Sequence, residues 1–441
     1  MTSRTIRHLA GITALAAWTS AVAAIPAWAQ AVAPAAPDAA GISAERLERV
    51  GAFLRGAVER GEIAGAVALV SREGRVVYLE AVGQRDIAKQ QPMSPDTRFL
   101  VASMTKPVTS VAAMILVEEG RLLLSDPIAK FLPEFKDMGV MSRKPSAGTN
   151  GPLPSVPARR PITVRDLLTH RAGFVYGFAG DGPLQAAYRA AGIIDGLRDT
   201  EETQARNIAR LAKLPLAHEP GTRWHYGLST DVLGRVVEAV SGQPLDAFLR
   251  ERVFEPLGMR DSAFYVPPEE ADRVAVVYRP RDGGGLEPLR EGDRVGQSTV
   301  ERPAYRGSRK FLSGGSGLIT TATDYARFAQ MLLNGGMLDG VRILGPKTVR
   351  LMTVSHTGDL EPSPLGPGVG FGLGFSVLTD AGAAGSFASA GTFGWGGIFG
   401  TDFWVDPGER LTGVLMVQLI PHEPLRLRER FRTLVYQAIE R

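Results

Sequence analysis

Strand patterns lie at the two ends of this sequence, and helical patterns fill the middle. Near the N-terminus, the apolar runs 65–70 and 76–79 flank a turn at Arg72-Glu73-Gly74 and predict an antiparallel hairpin. Near the C-terminus, residues 372–377, 396–405 and 412–419 predict three more strands. We therefore expect one mainly antiparallel sheet whose two halves enclose a helical insertion.

The expected domain boundaries follow from this arrangement. Residues 41–102 and 303–441 are predicted to form an α/β (α+β) sheet domain, and residues 103–302 a mostly helical domain. Residues 30–40 are rich in alanine and proline, which predicts a flexible leader before the sheet domain.

The N-terminal residues 1–29 predict a signal peptide. Arg4 and Arg7 form a basic region, an alanine-rich apolar run follows from Leu9 to Ala24, and Ala27-Trp28-Ala29 fits a cleavage site. The apolar run is short for a membrane span, so a retained anchor is the less favoured alternative. We expect a periplasmic or secreted protein without stable membrane insertion.

Composition narrows the classes of ligand and partner. The chain has 50 basic and 46 acidic side chains, so its charge gives no reason to expect nucleic-acid binding. Four arginines near the C-terminus share a helix with an apolar stripe and are predicted to be its solvated face: Arg426, Arg428, Arg430 and Arg432. Without cysteine, and without clustered ligands among its 6 histidines, no metal or other cofactor is expected. The oligomeric state is left open.

The stretch from Val101 to Pro107 carries the first chemical signal. Ser103 and Lys106 are three residues apart, which places both on one face of a helix that opens here. A serine hydroxyl becomes a good nucleophile when a neighbouring base takes its proton, and a partly desolvated lysine can do so. Since S-x-x-K is frequent by chance, other motifs must support the assignment.

Three further stretches could complete a site around Ser103. Tyr226 lies on a predicted loop before a helix, and a phenol can act as a base where a cation such as Lys106 stabilises the phenolate; by residue type alone, it is a packing aromatic. The glycine-rich stretch 391–398 indicates close approach of a ligand, or a bulged strand. His170 could be a base, although a histidine that closes a helix more often caps or packs.

Together these motifs resemble the serine β-lactamase and penicillin-binding superfamily. The resemblance is to its class C-like branch, and within that to the family VIII carboxylesterases. It implies a β-lactamase/transpeptidase-like fold: a central, mainly antiparallel sheet flanked by helices, plus a mostly helical domain. The motifs that carry it, in order, are Ser103-x-x-Lys106, Leu167-Leu168-Thr169-His170, Pro220-Gly221-Thr222-Arg223-Trp224 before Tyr226, and Gly315-Ser316-Gly317-Leu318.

The resemblance implies an acyl-enzyme mechanism. Ser103 would be the nucleophile, with Lys106 and Tyr226 as the base system. Trp395-Gly396-Gly397 occupies the place where many relatives carry Lys-Thr-Gly, as in family VIII esterases. The backbone N–H groups of Ser103 and Ile398 would then form the oxyanion hole.

Two departures from β-lactamases bear on the substrate. Trp395 replaces a cation that binds a carboxylate, and Leu228 replaces an asparagine that binds the substrate amide. With Gly396 and Gly397, these residues are predicted to bind the substrate, and both changes favour uncharged esters of short-to-medium acyl chains.

Other functions compete with the esterase prediction. The first is amide chemistry on the same scaffold, by a β-lactamase, a D-alanyl peptidase or an oligomer amidase. The second is a non-catalytic scaffold or binding protein, disfavoured because Ser103, Lys106 and Tyr226 are all present. An α/β-hydrolase would carry G-x-S-x-G, a pentapeptide that this sequence lacks.

Overall fold

The structure is a computed structural model that describes residues 33–142, 153–197, 200–290, 292–296, 298–299, 310–358, 360, 363 and 365–441. The predicted signal peptide and the first residues of the leader lie outside this range. None of the described helices has the length and apolar character needed to cross a membrane.

A nine-stranded sheet forms the centre of the molecule. Its spatial order is β1-β3-β2-β9-β8-β7-β6-β5, with β4 paired to β3; every pair is antiparallel except β1 with β3. The strands are β1 Ala33–Pro34, β2 Gly65–Arg72, β3 Arg75–Asp86, β4 Gln91–Pro92, β5 Val369–Phe371, β6 Ser376–Leu378, β7 Phe393–Gly396, β8 Asp402–Asp406 and β9 Leu411–Val417.

The two ends of the chain meet where β2 pairs with β9, with Ala68 opposite Leu415. This pairing joins the N-terminal and C-terminal halves into one sheet, as the sequence predicts. All residues of β2 and β9 are buried because helices cover both faces of the sheet, which is why both strands read as continuous apolar runs.

Twelve α-helices are described. They are α1 Ala44–Glu59, α2 Thr105–Glu118, α3 Val164–Leu168, α4 Pro183–Ala190, α5 Gln204–Leu211, α6 Ser229–Ser241, α7 Leu245–Leu249, α8 Glu255–Leu257, α9 Ala322–Leu333, α10 Pro346–Met352, α11 Ala381–Ala384 and α12 Leu427–Tyr436. Short two-stranded pairs accompany them: Phe99–Leu100 with Ile319–Thr320, Gly139–Met141 with Ser155–Pro157, Tyr278–Pro280 with Leu286–Pro288, Arg294–Val295 with Ser298–Thr299, and Met337–Leu338 with Val341–Arg342.

Two apolar cores lie on opposite faces of the sheet. On one face, α1 and α12 pack on Ala66, Ala68 and the neighbouring strands. On the other face, Val67 and Leu69 join a larger core that includes α2, α6 and α9. Alternate residues of β2 therefore belong to different cores, as the two-residue repeat of a strand requires. Helix α2, which follows Ser103, is buried from Thr105 to Leu116.

Three expectations need correction. The leader expected to be flexible over residues 30–40 contains regular structure from Ala33 onward. Ala33–Pro34 pairs with β3, and Pro37–Ala40 forms a 3₁₀ turn. The strand expected over 396–405 is two strands, because the chain turns between Gly396 and Asp402; there Gly397 N–H donates to Thr401 O at 2.8 Å.

The third correction concerns the arginines of α12. Arg426 and Arg430 are exposed as expected. Arg432 instead donates twice to Asp402, a buried carboxylate of β8, and Arg428 faces the cavity described below. A buried carboxylate requires a cationic partner, so part of the helix's charged face is turned inward.

Candidate active site

Ser103 lies in a tight turn directly before α2. Ala102–Met104 forms a single 3₁₀ turn, and Ala102 has a left-handed φ of 42°, which is strained for a residue with a side chain. Two hydrogen bonds hold this turn: Thr105 Oγ1 donates to Ala102 O at 2.7 Å, and Tyr325 Oη donates to Met104 O at 2.7 Å. The predicted helix thus begins just after the nucleophile, and Ser103 is held by a rigid, buried support.

Lys106 lies beside the Ser103 hydroxyl, as the three-residue spacing predicts. Its side chain is 1% exposed, and Nζ donates to Ser103 Oγ at 3.2 Å and to Gly315 O at 2.8 Å. The carbonyl fixes the position of the amine, so that Nζ is within reach of the serine proton. This is the geometry of a nucleophile with an adjacent base.

Tyr226 lies on the loop before α6 and next to Lys106. The centre of its ring is 4.7 Å from Lys106 Nζ, and its hydroxyl accepts a hydrogen bond from Trp395 Nε1 at 3.0 Å. Among the described residues, no hydrogen bond joins Tyr226 to Ser103, although both line the same cavity. Tyr226 is thereby held between Lys106 and Trp395 at the cavity.

The cavity has a volume of about 590 Å³ and is walled mainly by aromatic and apolar groups. Three of the four residues predicted to bind substrate line it: Trp395, Gly396 and Gly397. Ile398, predicted to contribute to the oxyanion hole, lines it as well. Aromatic and apolar side chains that also line the cavity are Tyr176, Phe178, Leu197, Trp224 and Tyr226. The described residues include no group of three or more side chains suited to hold a metal ion.

Leu228, the fourth residue predicted to bind substrate, is not in the cavity. Its side chain is fully buried, belongs to the large core and precedes the first residue of α6. The prediction for Leu228 is therefore wrong, because the chain has turned into the helix at this position and directs the side chain into the protein.

Two unused N–H donors lie beside the cavity, one at Ser103 and one at Ile398 just after the end of β7. Gly397 lies so close to Val101 O that a side chain could not fit between them, which brings the strand end against the Ser103 turn. Neither Ser103 N–H nor Ile398 N–H donates a hydrogen bond to any described residue. Paired donors beside a nucleophile are what an oxyanion hole requires.

Asp231 is a buried carboxylate behind the site that the sequence reading did not single out. It accepts hydrogen bonds from Ser313 Oγ at 2.6 Å, Gln204 Nε2 at 3.1 Å and Gly315 N–H at 3.3 Å. Burial raises its pKa, and the nearby Lys106 charge opposes that shift. Asp231 therefore orders the Gly315 segment whose carbonyl holds Lys106. An acidic residue directly before the apolar stripe of α6 is the signal that could have revealed it.

Tyr176 is a second tyrosine that the sequence reading missed. Its ring centre is 5.3 Å from Lys106 Nζ and 5.5 Å from the Tyr226 ring. Burial raises the pKa of Tyr176 well above 10, so this side chain is a neutral phenol at neutral pH. It forms part of the aromatic wall next to the base system.

His170 packs against Tyr226 and does not line the cavity. The two ring centres are 4.9 Å apart, and His170 O accepts a hydrogen bond from His225 N–H at 2.8 Å. Burial, followed by the Lys106 charge, lowers the pKa of His170 well below 6.5. His170 is therefore a neutral packing residue, in line with the more common role of a histidine at a helix end.

His422, at the cavity wall, predicts a pH dependence of stability. Burial, followed by the Arg428 charge, lowers its pKa to about 4, whereas an unfolded histidine titrates near 6.5. Between these values the unfolded chain binds the extra proton, so the contribution of His422 is complete above pH 6.5 and decreases as the pH falls towards 4. Compared with His422→Gln, the wild type should lose up to about 1.4 kcal/mol of unfolding free energy per pH unit in this window. Urea denaturation of both proteins measures this; a constant difference from neutral pH to pH 4.5 would contradict it.

Comparison with known proteins agrees with this geometry. The sequence model described as Beta-lactamase matches residues 50–437. Esterase EstB of Burkholderia gladioli is 36% identical over 393 residues, which cover 86% of this chain and 91% of EstB. Lovastatin esterase of Penicillium rubens is 33% identical over 387 residues, which cover 82% of this chain and 91% of that enzyme.

Solved structures show the same relationship. The structure titled EstCE1, a hydrolase with promiscuous acyltransferase activity, superposes with a TM-score of 0.78 at 32% identity and covers 89% of this chain and 99% of its own. The predicted resemblance and the predicted β-lactamase/transpeptidase-like fold are both confirmed. This chain belongs to the Beta-lactamase family.

Proposed function

We propose that this protein is an exported serine esterase that cleaves carboxylic esters of short-to-medium acyl chains through an acyl-enzyme on Ser103. One observation carries the proposal: Lys106 Nζ lies 3.2 Å from the Oγ of Ser103, a residue that lines a cavity of about 590 Å³. Relatives named as esterases, EstB and EstCE1, support a serine carboxylesterase of the β-lactamase-like family.

In the acylation step, Ser103 Oγ attacks the ester carbonyl carbon while Lys106, as the free amine, takes the hydroxyl proton. The carbonyl oxygen becomes negatively charged and is bound by the N–H groups of Ser103 and Ile398. The bond to the alcohol then breaks, and the departing oxygen receives the proton through Lys106 and Tyr226. Ser103 now carries the acyl group as an ester.

Deacylation repeats these steps with water. Tyr226 and Lys106 remove a proton from the water, whose oxygen attacks the acyl carbon of the Ser103 ester. The bond to Ser103 Oγ breaks, the proton returns to Oγ, and the carboxylic acid leaves. An alcohol in place of water would give acyl transfer; EstCE1 is described as having that activity.

The cavity wall supports uncharged acyl groups. Five of the side chains that line the cavity, in addition to Trp395, are aromatic or apolar, and Trp395 donates its one N–H to the Tyr226 hydroxyl. Trp395 offers a substrate carboxylate no charge, and Arg428, which lines the cavity, donates to Gly397 O, so we expect esters to be favoured over amides and carboxylated β-lactams.

A substrate comparison tests this proposal. We expect the mature protein to hydrolyse p-nitrophenyl acetate, butyrate and hexanoate, with much slower turnover of the palmitate. A chromogenic cephalosporin should be turned over at least about 100-fold less efficiently than the best ester, in kcat/KM. Efficient cephalosporin turnover with negligible ester turnover would instead identify a β-lactamase.

Export is part of the proposal and rests on the basic, apolar and small-residue segments within residues 1–29. After expression of the full chain in a Gram-negative host, we expect the periplasmic or secreted protein to begin at Gln30. Intact mass and cell fractionation measure this. A protein that retains Met1 and fractionates with the membrane would support the retained anchor.

A further inference from the structure

Arg428 of α12 lies directly behind the end of β7. A Cβ placed on Gly396 would lie 2.6 Å from the Arg428 guanidinium carbon, closer than van der Waals contact, so only glycine allows this approach. The Nη2 group of Arg428 donates a hydrogen bond to Gly397 O. The C-terminal helix is thereby attached to the backbone of the strand end.

The hydrogen bond from Arg428 to Gly397 O bears on the oxyanion hole because of the geometry of the peptide group. Gly397 C=O and Ile398 N–H belong to one planar peptide group, so fixing the oxygen also fixes the direction of the N–H. Gly400 N–H donates to the same oxygen at 3.0 Å, while Ile398 N–H has no partner among the described residues. Donors at the oxygen polarise the peptide and make its N–H a stronger donor.

The charge of Arg428 opposes the rise that burial causes in the pKa of Asp402, although Arg428 forms no ion pair with that carboxylate. Within the described part of the chain, Arg428 forms no ion pair, its only hydrogen bond is to Gly397 O, and its Nε is buried without a partner. Arg432, one turn further on, is the residue that pairs with Asp402. The one hydrogen bond of the Arg428 guanidinium among the described residues is therefore to the Gly397 peptide beside the cavity.

We propose that Arg428 is a positioning residue for the oxyanion hole: it orients and polarises the Gly397–Ile398 peptide so that Ile398 N–H binds the oxyanion formed during ester cleavage. This inference rests on the proposed acyl-enzyme function. Because the negative charge develops only in the transition state, the effect falls on kcat rather than on KM.

Substitution of Arg428 tests the inference. Arg428→Met keeps the apolar stem but removes the donor and the charge, and should lower kcat for p-nitrophenyl butyrate by about 10- to 100-fold, with KM within about threefold. Arg428→Lys should restore part of the loss. The matched control is Arg430→Gln on the exposed face of α12, which should leave both constants unchanged.

A spectroscopic measurement separates this role from a purely structural one. The infrared stretch of the acyl-enzyme carbonyl, formed with a slowly deacylating, isotopically labelled ester, reports the strength of the oxyanion hole. Arg428→Met should move that stretch to higher wavenumber, while the thermal unfolding midpoint shows that the variant is folded. If it does not fold, Gly396→Ala provides a second route, because the new methyl group displaces the guanidinium, and the same shift is expected.

Three outcomes would overturn the inference. The first is an unchanged kcat and carbonyl stretch in a folded Arg428→Met protein. The second is a rise in KM alone. The third is a loss confined to an ester that carries a carboxylate, which would make Arg428 a substrate-binding residue. In each case the wild type still forms an acyl-enzyme; its failure to form one would instead refute the proposed function.

Discussion

Replacing Ser103 by alanine should lower kcat/KM for p-nitrophenyl butyrate by on the order of 10⁴-fold or more. The variant loses the only atom that can form the acyl-enzyme, while the 3₁₀ turn and its hydrogen bonds to Thr105 and Tyr325 involve groups other than the Ser103 hydroxyl. The fold should therefore be retained, with an unfolding midpoint close to that of the wild type.

The chain offers a matched control for this experiment. Ser110 lies on α2, the helix that follows Ser103; it is 1% exposed, and its hydroxyl has no hydrogen-bond partner among the described residues. Ser110→Ala should leave ester turnover within about twofold, because no buried partner is lost. Ester turnover that survives in purified Ser103→Ala would contradict the assignment of the nucleophile.

Replacing Lys106 by methionine should lower kcat by about 10³-fold. Methionine fits the buried site in size but cannot accept the Ser103 proton, and it leaves Gly315 O without the hydrogen bond that Nζ donates at 2.8 Å. Steady-state kinetics with p-nitrophenyl butyrate and a burst measurement of the released nitrophenol would show whether acylation has become the slow step.

Arginine at position 106 distinguishes a base from a fixed positive charge. A guanidinium stays protonated, so Lys106→Arg keeps a cation near Tyr226 but cannot accept a proton. If Lys106 is the base, this variant should be as inactive as Lys106→Met, provided that circular dichroism shows a native fold. Retention of more than about a tenth of the wild-type kcat by Lys106→Arg would show that charge alone suffices.

Local patterns in the sequence predicted the nucleophile–lysine pair and the strands at the two ends of the chain. The three-residue separation of Ser103 and Lys106 becomes a hydrogen bond of 3.2 Å. The apolar runs at both ends of the chain become the β2 and β9 pair. The first result depends only on the geometry of one turn, and the second on apolar strands at the two ends of the chain that are predicted to share one sheet.

The features that were missed depend on contacts between distant parts of the chain. Leu228 was placed in the site by its position in a motif, but the start of α6 buries it in the core. Arg428 and Arg432 fit the solvated face of an amphipathic helix, yet Gly396 and Asp402 lie beneath that face and draw both inward. Spacing along one helix cannot reveal such partners.

Trp395 has one feature that the sequence predicts and one that depends on a distant contact. Trp395 lines the cavity, and the prediction from the sequence is that its indole replaces a cation there. The sequence did not predict that Trp395 Nε1 would donate to the Tyr226 hydroxyl at 3.0 Å, since the two residues come from different domains of the expected fold. Trp395 thus contributes apolar surface to the cavity and also supports the base system.

Covalent trapping tests the central claim most directly. A p-nitrophenyl dialkyl phosphate reacts with an activated serine by releasing nitrophenolate and leaving a stable phosphoryl ester on the oxygen. We predict a stoichiometric mass increase of one dialkylphosphoryl group in the wild type, located by peptide mapping on Ser103 and absent from Ser103→Ala. Ester hydrolysis that continues in the fully phosphorylated protein, or an adduct on another residue with Ser103 unmodified, would contradict it.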